Sequence, residues 1–107
     1  MTRVELLYFD GCPNHQPLQE RVRDLVNAHN LQATIEAVPV GSDEEARARR
    51  FLGSPSLRVD GADVEPGADE RTDFGMKCRL FLTPDGLRGM PADAWMLTAL
   101  ERAQAPR

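Results

Sequence analysis

The stretch YFDGCPNHQP, residues 8–17, sets Cys12 between a glycine and a proline where an apolar run turns polar, with His15 three residues further on. A thiol does nucleophilic chemistry as its thiolate, and an imidazole at i+3 is the right kind of group to hold that anion or take its proton. Asp10, just ahead of the cysteine, is a second proton donor or acceptor, although its neighbour Gly11 makes a turn residue the simpler reading. The other cysteine, Cys78, alternates with Leu80 and Leu82, which reads as a small core residue on the inner face of a strand. The rival reading folds it back towards Cys12, for a disulfide or, with a carboxylate, a soft-metal site. A zinc site sharing His15 and His29 is excluded by length, since fourteen residues along one helix span about 20 Å. Cys12, His15 and Cys78 together fall short of the four closely spaced ligands usual in structural zinc.

These groups need elements to hold them. From Val4 the run RVELLYF (3–9) is almost continuously apolar, as in a central strand buried on both faces. Leu18, Val22, Leu25, Val26 and His29 then follow at helical spacing, and Pro13 suits a first helical position, so a helix is expected to begin at the cysteine. LQATIEAVPV (31–40) predicts a second strand, with Pro39 at a sheet edge. SDEE (42–45) is a capping box for a short helix carrying Phe51 and Leu52 up to Gly53. SPSLRVDG (54–61) predicts a third strand ending in an Asp60-Gly61 turn, and CRLFLTPDG (78–86) a fourth, pairing with it hairpin-fashion. Pro91 opens a last helix with Met96, Ala99, Leu100 and Ala103 on one face, and the tail QAPR should fray.

The segment between the last two strands, 62–77, is long for a compact domain and rich in acids. It suggests a cover over a site or a contact in a homodimer. Its DFG (73–75) lacks the phosphate loop and catalytic loop that would make it a kinase motif. Right-handed connection of strands flanking a helix makes the first two parallel neighbours. The expectation is one α/β domain over 1–107, β-α-β-α-β-β-α, with a four-stranded mixed sheet flanked by helices.

That element order, with Cys-Pro after the first strand and Gly-Ser-Pro opening the third, resembles the thioredoxin-like superfamily over most of the chain. The resemblance implies that Cys12 is the reactive thiol at the start of the first helix and that Pro55 is a cis-proline facing it. Where that family usually carries Cys-x-x-Cys, this chain reads Cys12-Pro13-Asn14-His15. The implied chemistry is therefore of the single-cysteine kind. From the residues alone, a thiol at a helix N-terminus faces unpaired amides and the positive end of the helix dipole, which favour the thiolate.

The remaining composition narrows the function classes. Of 107 residues 41% are hydrophobic and 28% charged, with a net charge of −4 and no basic-aromatic patch, so no nucleic-acid partner is expected. The basic knot EARARR (45–50) sits beside acids and reads as a solvated helix face. No run approaches the ~18 apolar residues of a membrane span, and a cytoplasmic location is expected. The leading expectation is a thiol–disulfide redox protein, an oxidoreductase without cofactor, with Cys12 as nucleophile, His15 as activator and Pro55 as positioning element. Its partners would be a small-molecule thiol or a protein disulfide. The alternatives are a module that sequesters a soft metal or thiol compound, and a redox-silent interaction domain.

Overall fold

The central strand of the protein is the apolar run at its start. In a computed structural model, which describes residues 1–104, β1 covers Thr2–Tyr8, with Val4, Leu6 and Leu7 fully buried. Alternation sends Val4 and Leu6 to one face of the sheet and Leu7 to the other, and each face has its own core. Of the tail QAPR, where fraying was expected, Gln104 is the last residue of the C-terminal helix and residues 105–107 lie outside the described residues.

Three α-helices and a mixed sheet make an α/β domain. Helix α1 (His15–Ala28) is followed by β2 (Ala33–Pro39), which pairs parallel with β1 from Thr2 opposite Ala33 to Tyr8 opposite Pro39. After α2 (Asp43–Ala48) comes β3 (Ser56–Val59), antiparallel to β1 on its other side. The strand order is β2-β1-β3-β4, with β4 at Ala62–Asp63, so Pro39 does end an edge strand. Leu18, Val22, Leu25 and Val26 of α1 join Met96 and Leu100 of α3 (Asp93–Gln104) over the Val4/Leu6 face. On the opposite face Ala46 of α2, with Phe51, packs on Leu7 and Val38.

Both ends of the short helix are local chemistry. Ser42 Oγ accepts from the Glu45 amide at 3.1 Å, while the Glu45 carboxylate reaches back one residue further than a standard capping box, to the Gly41 amide at 2.7 Å. That bond and the nearby Arg49 hold the Glu45 carboxyl below its ordinary range. The helix stops earlier than expected, at Ala48, because Arg50 turns left-handed (φ +56°) and the Phe51 amide closes back on the Ala46 carbonyl at 2.8 Å. Helix α1 ends the same way, with Asn30 at φ +52° and the Leu31 amide on the Val26 carbonyl.

The fourth strand of the sheet is not the segment expected. Asp60 and Gly61 both have positive φ and form a two-residue hairpin turn, so β3 pairs with the residues directly after it, β4 (Ala62–Asp63). The segment at 78–88 instead makes a separate hairpin of β5 (Phe81–Thr83) and β6 (Gly86–Arg88), and just ahead of it Cys78 forms an isolated parallel bridge with Ser54, the second residue ahead of β3. A two-residue type I′ turn delivers its partner strand immediately, leaving no open β3 edge for a strand arriving later.

The face of that segment is also reversed from expectation. Arg79, Phe81 and Thr83 point inward, whereas Cys78 is exposed and Leu80 and Leu82 are 61% and 71% exposed. A strand with leucines on one side and arginine and phenylalanine on the other buries the second set because Arg79 has partners waiting. Its guanidinium forks onto Asp63 at 2.7 and 3.0 Å, reaches Glu65 at 3.0 Å and Ser56 Oγ at 2.8 Å, and lies 4.3 Å from the Phe81 ring centre.

Candidate functional site: Cys12, Ser54 and the segment bearing Cys78

Cys12 lies in the turn that leaves the C-terminal end of β1 and is partly exposed. The turn is closed by the Cys12 amide donating to the Phe9 carbonyl at 3.3 Å and the His15 amide donating to the Cys12 carbonyl at 3.4 Å. Asp10 is an exposed residue of this turn. The helix begins later than expected: Asn14 is the N-cap and His15 the first helical residue, which leaves Cys12 two residues ahead of the cap. The cause is Pro17. In a helix begun at Pro13, residue 17 would have to donate to the Pro13 carbonyl, which proline cannot do, and its ring would strike that carbonyl. Starting at His15 puts Pro17 in the first turn, where no donor is needed. Of the leading helical amides, His15's is given to Cys12's own carbonyl, Pro17's does not exist, and Gln16's has no backbone acceptor among the described residues. The field of free amides around the thiol is thus thinner than a helix begun at the cysteine would supply.

The His15 ring is engaged by the end of β1. The imidazole stacks on Tyr8, the last residue of β1, with ring centres 3.6 Å apart and planes 8° from parallel. Its Nε2 is buried without a hydrogen-bond partner, and no hydrogen bond joins the ring to Cys12. Its observed tie to the thiol-bearing residue is the backbone bond that closes the turn.

Pro55 opens the approach to β3, and the Ser54–Pro55 peptide bond is cis, the isomer that the sequence alone left open. Ser54 is buried and fastened on three sides. Its Oγ accepts from the Phe9 amide at 3.2 Å, its own amide donates to the Lys77 carbonyl at 2.8 Å, and its carbonyl accepts from the Arg79 amide at 2.9 Å. The backbone ahead of Pro55 is therefore occupied by the chain's own residues 77–79. Gly53 permits the close approach: at φ +121° it has no side chain, and a Cβ there would stand 2.9 Å from the Lys77 carbonyl oxygen and 3.0 Å from Arg79 Cβ.

Two elements of this site were missed in the sequence. Arg79 hid inside an apolar-looking run, and its signal was Asp63 and Glu65, two residues apart and therefore on one face of an extended segment. Ser54 was noticed only as the residue before a proline. Of the five acids of the long segment, Glu65 and Asp73 pair with its own Arg71, and Asp73 also with Lys77. Hydrogen bonds from Arg71 first and Lys77 second hold the Asp73 carboxyl far below the usual carboxylate range.

Among the described residues no three His, Cys, Asp or Glu side chains are grouped to hold a metal ion, so Cys12, His15 and Cys78 do not assemble as a ligand set. A cavity of about 990 Å³ opens elsewhere, between the end of α2, the β3–β4 turn and α3, and is lined by Arg50, Arg58, Phe74 and Trp95 among others but by none of Cys12, His15, Pro55 and Cys78. Arg58 on its wall donates to the Arg49 and Arg50 carbonyls at 2.5 and 3.1 Å, and burial lowers its pKa. No helix of the described residues is long and apolar enough to cross a membrane. No family model, curated protein or solved structure matches the chain.

Proposed function

We propose that this chain is a small thiol–disulfide redox protein of thioredoxin-like topology, working in a reducing cytoplasm, with Cys12 as its nucleophile. The observation that carries the reading is the position of Cys12: a partly exposed thiol in the turn at the end of the central strand, tied through Phe9 to Ser54 and so beside Pro55. Parallel pairing of β1 with β2 and antiparallel pairing of β1 with β3 supports the topology.

In this reading the Cys12 thiolate attacks one sulfur of a disulfide. A new Cys12–sulfur bond forms, the substrate's S–S bond breaks, and the departing thiolate takes a proton from water. Because both backbone groups of Ser54 are already bonded within the chain, the substrate this surface favours is a low-molecular-weight disulfide rather than an extended peptide added as a strand. Pro55 positions the Cys12 turn. His15 anchors it through Tyr8, a role different from the proton acceptor expected from the i+3 spacing.

The test measures alkylation of Cys12 by iodoacetamide at neutral pH against a free small-molecule thiol, together with reduction of hydroxyethyl disulfide under a glutathione-coupled assay. The expected result is faster alkylation at Cys12 and turnover that disappears in Cys12→Ser. Alkylation no faster than the free thiol, with turnover unchanged in Cys12→Ser, sinks the reading.

A further inference from the structure

Cys78 is one of only two cysteines, and neither is in a disulfide. Its sequence pattern made it core filler, yet it is exposed, and an isolated parallel bridge sets it opposite Ser54. Residues opposite one another in a ladder share a face, about 4.8 Å apart from strand to strand. The face on which Ser54 carries its side chain is known, because Oγ reaches the Phe9 amide. Phe9 in turn begins the turn closed by the Cys12 amide. Cys78 is thus linked to the Cys12 turn through two residues: it is bridged to Ser54, whose Oγ binds the Phe9 amide, and the Phe9 carbonyl accepts from the Cys12 amide.

The seating of residues 77–79 is specific. Two backbone hydrogen bonds bind them to Ser54, Gly53 leaves no gap for a Cβ against Lys77, and the next side chain, Arg79, is locked by Asp63 and Glu65. An extended segment with a cysteine at its middle, bonded to the residue ahead of Pro55, occupies the place a thiol-bearing partner strand would take.

We propose that Cys78 is the resolving thiol for Cys12, so that the protein is a dithiol whose second cysteine arrives from a distant strand instead of from the first helix. The proposal rests on the reading of Cys12 as nucleophile. In the first step Cys12 attacks a low-molecular-weight disulfide, forms a mixed disulfide and releases one thiol. In the second, Cys78 gives its proton to water and attacks the Cys12 sulfur; the Cys12–Cys78 bond forms, the mixed disulfide breaks, and the second thiol leaves. The protein loses two electrons and two protons, the substrate disulfide gains them as two thiols, and an external low-molecular-weight thiol restores the dithiol. Closing the bond requires the two Cα atoms to come within about 7 Å.

The experiment exposes the reduced full chain to oxidised glutathione and reads intact mass and the cysteine-bearing peptides. Wild type is expected to lose two hydrogens, carry no adduct and yield a peptide joining Cys12 to Cys78. Cys78→Ser, a change at an exposed position, is expected to keep one glutathionyl group on Cys12, and Cys12→Ser to react much more slowly at Cys78. A wild type that holds its adduct as stably as Cys78→Ser overturns the resolving role while leaving Cys12 as nucleophile. Absence of any adduct in both wild type and Cys78→Ser, with no joined peptide, overturns the nucleophile and the proposal together. Reaction of Cys78 in Cys12→Ser as fast as wild type overturns the order of the two thiols.

Discussion

The two cysteines are carried by regions held in different ways. Cys12 follows a strand whose Val4, Leu6 and Leu7 are wholly enclosed by helices on both faces, so hydrocarbon burial sets its position. Cys78 belongs to a segment held by an isolated bridge, by one buried aromatic, Phe81, and by a buried arginine gripped by two carboxylates, while its own leucines face solvent. Apolar packing is undirected and tolerant, whereas the charged grip is directional and fails when one partner is lost. In the proposed mechanism the first region would fix the nucleophile and the second would hold the resolving thiol.

The sharpest way to break this comparison is Arg79→Ala. It leaves the largely buried Asp63 without its ion-pair partner and Glu65 with Arg71 alone, with an expected loss of about 3–5 kcal/mol in denaturant unfolding. Amide exchange should accelerate first at Ser54 and Arg79 while Leu6 and Leu7 stay slow. Equal acceleration in β1 would make the two regions one cooperative unit and dissolve the contrast.

Leu6→Ala tests the opposite side. Removing a fully buried leucine from the main core should cost about 2–5 kcal/mol and shift exchange throughout the domain, including residues 77–79. Gly53→Ala sharpens the junction itself. Its Cβ would meet the Lys77 carbonyl oxygen at 2.9 Å at a backbone angle few side chains adopt, for an expected loss of about 1–3 kcal/mol and slower formation of the Cys12–Cys78 bond. A variant as stable as wild type and equally fast would mean that 77–79 are not tightly seated.

The smallest effect concerns Asp73. Its folded pKa is depressed, so its stabilising contribution is complete above the ordinary carboxylate pKa of about 4 and is lost only as pH falls through the lowered value. The pair is half-exposed, so the contribution is expected to stay within about 0.5 kcal/mol. Asp73→Asn should therefore differ slightly from wild type in urea unfolding at pH 7 and converge with it in strong acid; a gap that widened on acidification would contradict the assignment.

Local patterns carried much of the fold. The central strand, the parallel β1–β2 pair, the Ser42 cap and the Asp60-Gly61 turn each follow from forces acting within a few residues, namely apolar alternation, an amide seeking an oxygen and a backbone that needs positive φ. Even the late start of α1 was written in Pro17, although Pro13 drew the eye.

By itself, then, the sequence determined the α/β order, the place of Cys12 just after the central strand and the proline that marks the neighbouring approach. Only tertiary structure decided which way Cys78 faces, because CRLFLT alternates equally well in either sense. The choice fell to Asp63 and Glu65, residues distant along the chain that offered Arg79 a buried partner more valuable than burying Leu80 and Leu82. Periodicity along a strand defines two faces; what each face meets across space selects the one that turns inward.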